Sequence, residues 1–164
     1  MNRNRIEPKP GQESVWDYPR PPRLEASVKH IRVLLNGILI ADSKQAKRVL
    51  ETSHPPVYYI PPADIKMACL IPAARRSWCE WKGQASYYDI RVGKRHVEHA
   101  AWYYPKPNTD FASIKDYVAF YPSLMDACYV NGDQVRAQAG DFYGGWITSD
   151  IVGPFKGEPG TNFW

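Results

Sequence analysis

The sequence is poor in the residues that usually announce a chemistry. Its three cysteines, Cys69, Cys79 and Cys128, form no close pair. That argues against a disulfide framework and for a reducing compartment, read here as the cytoplasm. There is no Cys-x-x-Cys, and His96 and His99 are the one close pair among four histidines, so no metal site is expected. No apolar run approaches the ~18 residues of a membrane helix, so no membrane partner is expected either. Met1–Gly11 is basic and proline-containing and lacks the apolar segment of a secretory signal. Gly-x-Gly-x-x-Gly, the Walker loop, Gly-x-Ser-x-Gly and His-Glu-x-x-His are all missing. The acids Asp17, Asp42, Glu51, Asp64 and Asp89 form no Asp-x-Asp or Asp-x-Glu, the pairing that two-metal nucleotidyl transfer draws on. The net charge of +4 gathers early: residues 1–50 hold ten Lys and Arg against five Asp and Glu. Because bases and acids interleave instead of forming one basic stripe, nucleic acid is not an expected partner.

What is plentiful is proline and aromatic side chain: 15 Pro, 11 Tyr, 6 Trp and 5 Phe in 164 residues. The length suits one domain with a sizeable core. Residues 1–12 read as a flexible tail, 13–150 as a single β domain and 151–164 as a C-terminal extension. Asn36-Gly37 lies between Lys29–Leu35 and Ile38–Asp42, and Asn131-Gly132 follows Cys128-Tyr129-Val130. Asn-Gly between apolar runs predicts a hairpin, because a type I′ turn needs two residues at positive φ. Val57–Ile60, Gln84–Val92, Ala100–Tyr104 and Tyr117–Tyr121 read as further strands. Pro62–Met67 permits a short helix with proline in its first turn, and Ser43–Leu50 fits a helical turn or a strand equally. So many prolines exclude long helices almost everywhere. The expected fold is mostly β, an antiparallel sheet or barrel with one or two short helices.

Ionisable groups recur inside the aromatic segments. Glu51 and His54 stand three apart before Pro55-Pro56, close enough to share a hydrogen bond and handle a proton, or to serve only as turn cap and ion-pair partner. Cys79 is a candidate nucleophile with Lys82 to stabilise its thiolate, or a small buried hydrophobe. Lys82 or Arg20 could hold an anion. Candidate pocket walls are Trp16, Tyr58, Tyr59, Trp81, Trp102, Tyr104, Tyr143 and Trp146, with Asp17 and Arg20 beside Trp16; a ligand pocket is typically apolar with a few placed polar groups. Tyr58-Tyr59 and Tyr103-Tyr104 each send one ring to either face of a strand, so one of each pair at most can face a common pocket. Phe142-Tyr143-Gly144-Gly145-Trp146 reads as a tight turn or a close backbone approach.

These same segments carry a resemblance. Glu13–Pro22, Gly37–Ser43, the run Val49–Pro62 with its Glu-Thr-Ser-His-Pro-Pro, Cys79–Ala85, Ala101–Pro105, Val118–Pro122 and Phe142–Trp146 resemble the domain-of-unknown-function family 427, also labelled nucleotidyltransferase-9-like. The resemblance spans about Glu13 to Thr148. It implies a small antiparallel β fold similar to the β-tent of methionine sulfoxide reductase B and the cereblon ligand-binding domain. The zinc that such relatives often carry on paired Cys-x-x-Cys motifs has no counterpart here. The expected function is binding of a small organic molecule in an aromatic pocket, with cofactor-independent acid–base catalysis of isomerase, lyase or hydrolase type left open. A non-enzymatic ligand-binding or interaction module is the alternative. Nucleotidyl transfer, as the family label suggests, is the third reading. A homodimer is not excluded.

Overall fold

The structure is a computed structural model that describes residues 4–140, 143–161 and 163–164; Phe142 and the first three residues of the tail lie outside the described residues. Its fold is mostly β and antiparallel. Leu70–Cys79, Gly83–Val92, Arg95–Tyr103 and Val118–Phe120 form one four-stranded sheet in that order. Ile38–Ser43, Ile31–Leu35, Ala127–Val130 and Asp133–Gln134 form a second. A three-stranded sheet of Arg23–Ala26, Lys47–Leu50 and Val57–Tyr59 joins the first through the Ile60–Val118 bridge. None of these sheet orders closes on itself, so the barrel expected from sequence takes the form of open, packed sheets. Among the described residues, helix is confined to five 3-10 turns. Two of them, at Pro62–Asp64 and Pro122–Leu124, start on proline, where the missing N–H costs nothing. None is long and apolar enough to cross a membrane.

Both Asn-Gly turns sit where the sequence puts them. Asn36 and Gly37 have φ of 50° and 76°, Asn131 and Gly132 of 49° and 80°, as a type I′ turn requires. The ambiguous stretch after Ser43 is a strand, Lys47–Leu50, held between Arg23–Ala26 and Val57–Tyr59.

In the first sheet, much of Gly83–Val92, with residues 100–102 and Val118–Phe120, packs on both faces while Leu70–Cys79 stays more exposed, and this positions the site. Its inner face sends Ile90, Val92, Ala101, Val118 and Phe120 against Ile31, Val33, Leu35 and Ile40 of the second sheet, with Tyr58 and Trp146 in the same core. Its outer face carries Ala85, Tyr87, Trp102, Tyr104, Ala119 and Tyr121, packed with Tyr59, Phe111 and Ile114. Each buried Ile, Val, Leu or Phe among them contributes roughly 1.5–3 kcal/mol by leaving water. A third cluster of Val15, Tyr18, Leu50, Ile147, Ile151 and Phe155 ties the two ends of the chain together.

Candidate functional site

Strand alternation sorts the rings. Tyr58 and Tyr103 face the inner core, while Tyr59 and Tyr104 face outward, one of each pair as the two-residue period demands. Tyr59, Tyr87, Trp102, Tyr104 and Tyr121 therefore share the outer face. Tyr59 meets Trp102 edge-on at 6.3 Å, and Trp102 meets Tyr121 at 4.5 Å. The Trp102 indole donates to the Tyr59 hydroxyl at 3.4 Å, and Ser77 Oγ lies 2.8 Å from the Tyr87 hydroxyl. Burial raises the pKa of Tyr59, Tyr104 and Tyr121, so all three stay protonated and able to donate. These rings floor a cavity of about 190 Å³.

The Glu51–His54 turn closes one side. His54 N–H donates to the Glu51 carbonyl at 3.0 Å, and Pro55-Pro56 forces extended backbone immediately after. Ser53 is held at a φ of 72° by its own N–H donating to Val15 O and by Lys156 N–H donating to Ser53 O. His54 Nδ1 lies 2.9 Å from the Thr52 carbonyl. A carbonyl only accepts, so Nδ1 carries the proton and Nε2 is the lone-pair nitrogen. Burial lowers the His54 pKa, opposed by the Glu51 carboxylate 3.8 Å from Nδ1. The imidazole is neutral at pH 7. Glu51 is also within 3.4 Å of Arg20, which donates to the Thr52 carbonyl at 2.9 Å. The proton-handling and structural readings of the Glu51–His54 pair thus share one geometry.

The turn after Leu70–Cys79 closes the other side. Asn108 pins it by donating from its backbone to Lys82 O at 2.8 Å and from its side chain to Trp81 O at 3.1 Å. Lys82 and the free, half-buried Cys79 both line the cavity. Burial works against the Lys82 charge, but Tyr59 and Cys79, with Glu51 beyond, hold its pKa above the usual lysine value. The third side is Gln138, Tyr143 and Gly144. Gly144 is there for space, not φ: a Cβ would lie 2.2 Å from the Trp102 ring.

Eight residues singled out from sequence thus line one cavity: Glu51, His54, Tyr59, Cys79, Lys82, Trp102, Tyr104 and Tyr143. Arg20 stands behind them on Glu51. The others lie elsewhere. Trp16 donates to the Pro154 carbonyl and packs on Trp164, while Asp17 pairs with Arg5. Tyr58 and Trp146 pack together at 5.2 Å in the inner core, and Trp146 Nε1 donates to Phe120 O. Trp81 packs against the outer cluster without lining the cavity. Sequence reasoning missed Ser77, Trp78, Tyr87, Tyr121 and Gln138. Parity groups Tyr87 with Ala85 and Tyr121 with Ala119, but their place beside Trp102 comes from the pairing of Gly83–Val92 and Val118–Phe120 with Arg95–Tyr103. Gln138 had no local signal.

The sequence model of a family described as a domain of unknown function, DUF427, and named NTP_transf_9, matches residues 23–131. That span carries the cavity from Glu51 to Tyr121, while Gln138, Tyr143 and Gly144 lie beyond it. No curated protein matches the chain.

Proposed function

The chain belongs to the DUF427 family, a domain of unknown function, and from that premise we propose that the outer-face cavity binds a small organic molecule and moves a proton on it without a cofactor. The observation that carries this reading is convergence. Residues chosen from separate aromatic segments, Glu51 and His54, Cys79 and Lys82, Trp102 and Tyr104, meet around one space. His54 is the base: its Nδ1–H is committed to Thr52 O, its lowered pKa keeps Nε2 unprotonated, and Glu51 steadies the imidazolium once a proton arrives. Lys82 and the buried phenols are placed to take up negative charge left on the substrate. This chemistry suits an isomerase, lyase or hydrolase.

One observation favours a purely binding role: Glu51 and His54 both hold structural partners, in Arg20 and the Thr52 carbonyl. Nucleotidyl transfer gains little support. Glu51 is the one carboxylate among the described lining residues, and no cluster of three or more metal-ligating side chains occurs among the described residues.

Thermal-shift screening of the chain against a metabolite library tests the proposal. A ligand at a hundred times its Kd stabilises by about 2.7 kcal/mol, raising Tm by roughly 5–11 °C in a chain of this size. Hits should lose their effect in Trp102→Ala. With a hit in hand, His54→Asn that binds normally but turns nothing over supports catalysis, whereas a loss of stability alone supports the binding module. A library without hits contradicts both.

A further inference from the structure

Lys82 is the feature the proton-transfer reading does not exhaust. Its ammonium lies 5.9 Å from the Tyr104 ring centre and 5.8 Å from that of Phe111. Among the described residues no carboxylate stands within ion-pair distance of it. Arg20, behind the lining, is already occupied by Glu51 and by the Thr52 carbonyl. Glu51 and Lys82 are the charged groups among the described lining residues, and Glu51 is engaged by Arg20, so Lys82 is the cation a ligand in the cavity can reach. The ring faces favour the ammonium and keep it charged and in place for an anion. Size narrows the occupant further. An apolar cavity of about 150 Å³ takes a benzene-sized molecule; this one, at about 190 Å³, has room for one ring and a small substituent. At the rim, the Trp78 indole is 70% exposed, an unused flat surface beside the opening.

We propose that the ligand is a planar, single-ring monocarboxylate, its carboxylate on Lys82 and its ring against the Trp78–Trp102 side of the cavity. A phosphate ester, carrying about −1.5 to −2 at pH 7, exceeds the single positive charge that Lys82 brings to the cavity. The inference rests on the ligand-binding reading of the cavity and is independent of proton transfer.

The probes are sodium benzoate, benzamide and phenyl phosphate, titrated into the full chain with Tm and tryptophan fluorescence as readouts. Benzoate should bind about tenfold or more tightly than benzamide, as expected of a charge-assisted contact, and more tightly than phenyl phosphate. In Lys82→Met the benzoate preference should vanish while benzamide binds as before, and Trp78→Ala should weaken both. If Lys82→Met does not fold, Lys82→Gln and the wild-type benzoate-to-benzamide ratio carry the same test. Benzamide equal to benzoate in the wild type, a preference that survives loss of Lys82, or phenyl phosphate binding best each overturns the inference and leaves the cavity reading standing. No binding by any of the three probes overturns the inference too, and the metabolite-library screen then decides the cavity reading on its own.

Discussion

His54 is the residue whose behaviour the geometry fixes most tightly. Burial pushes its pKa down, Glu51 pulls it up, and Arg20 and Lys156 push it down again. Proton NMR titration of the His54 ring should therefore give a midpoint below the ordinary value of about 6.5. Glu51→Gln should lower it further, and Arg20→Gln should raise it. The unfolded chain takes up this proton at a higher pH than the folded one, so stability falls as pH drops below about 6.5 through the folded midpoint. His54→Asn should flatten that part of the stability curve; an unchanged slope would contradict the assignment. Two tryptophans make a second residue-scale contrast. Trp146 is 0% exposed in the inner core, and Trp146→Ala should cost about 3–5 kcal/mol in urea unfolding. Trp78 is mostly in solvent, and Trp78→Ala should change stability by less than about 0.5 kcal/mol.

At the scale of elements, what was legible in the sequence was local. The Asn36-Gly37 and Asn131-Gly132 hairpins are specified by two residues each and appear as expected. The Glu51–His54 turn is specified by its spacing and by the two prolines behind it, and it too forms. Alternation told that Tyr58 and Tyr59 part company but not which one meets the cavity, because the facing of a strand is decided by its distant partners. Trp146 was read as a wall for the same reason; its pairing with Ala137 and its bond to Phe120 O turn it inward. Trp81 and Trp78 exchange roles at the hairpin turn, where Asn108 holds the backbone of Trp81. The Gly144 approach to Trp102 spans a sequence distance no local pattern reports. Gly144→Ala should destabilise by about 1–3 kcal/mol through overpacking and displace the Trp102 ring, visible as a shifted indole resonance and weakened ligand binding.

Over the whole molecule, charge and burial divide the work. Outside the cavity lining, Arg48 holds Glu13 at 2.8 Å and Glu25 at 2.6 Å within the early part of the chain, and Lys29 ties that part to Asp150 at 2.8 Å. Arg48 holds the Glu13 pKa below its ordinary value. That contribution is present above pH about 4.5 and lost as pH falls through the lowered midpoint. Arg48→Met should therefore destabilise the chain at pH 7 and differ less from the wild type at pH 3, with ligand binding at neutral pH unaffected in the folded fraction. The cavity lies on the face of the first sheet opposite the inner core. The most direct measurement of the central claim is a nitrogen–proton NMR titration of the six indole N–H groups with a ring-bearing ligand taken from the thermal-shift screen. The account predicts that Trp78 and Trp102 shift with ligand while Trp16 and Trp146 stay in place; shifts confined to Trp16 or Trp146, with Trp102 unmoved, would contradict it.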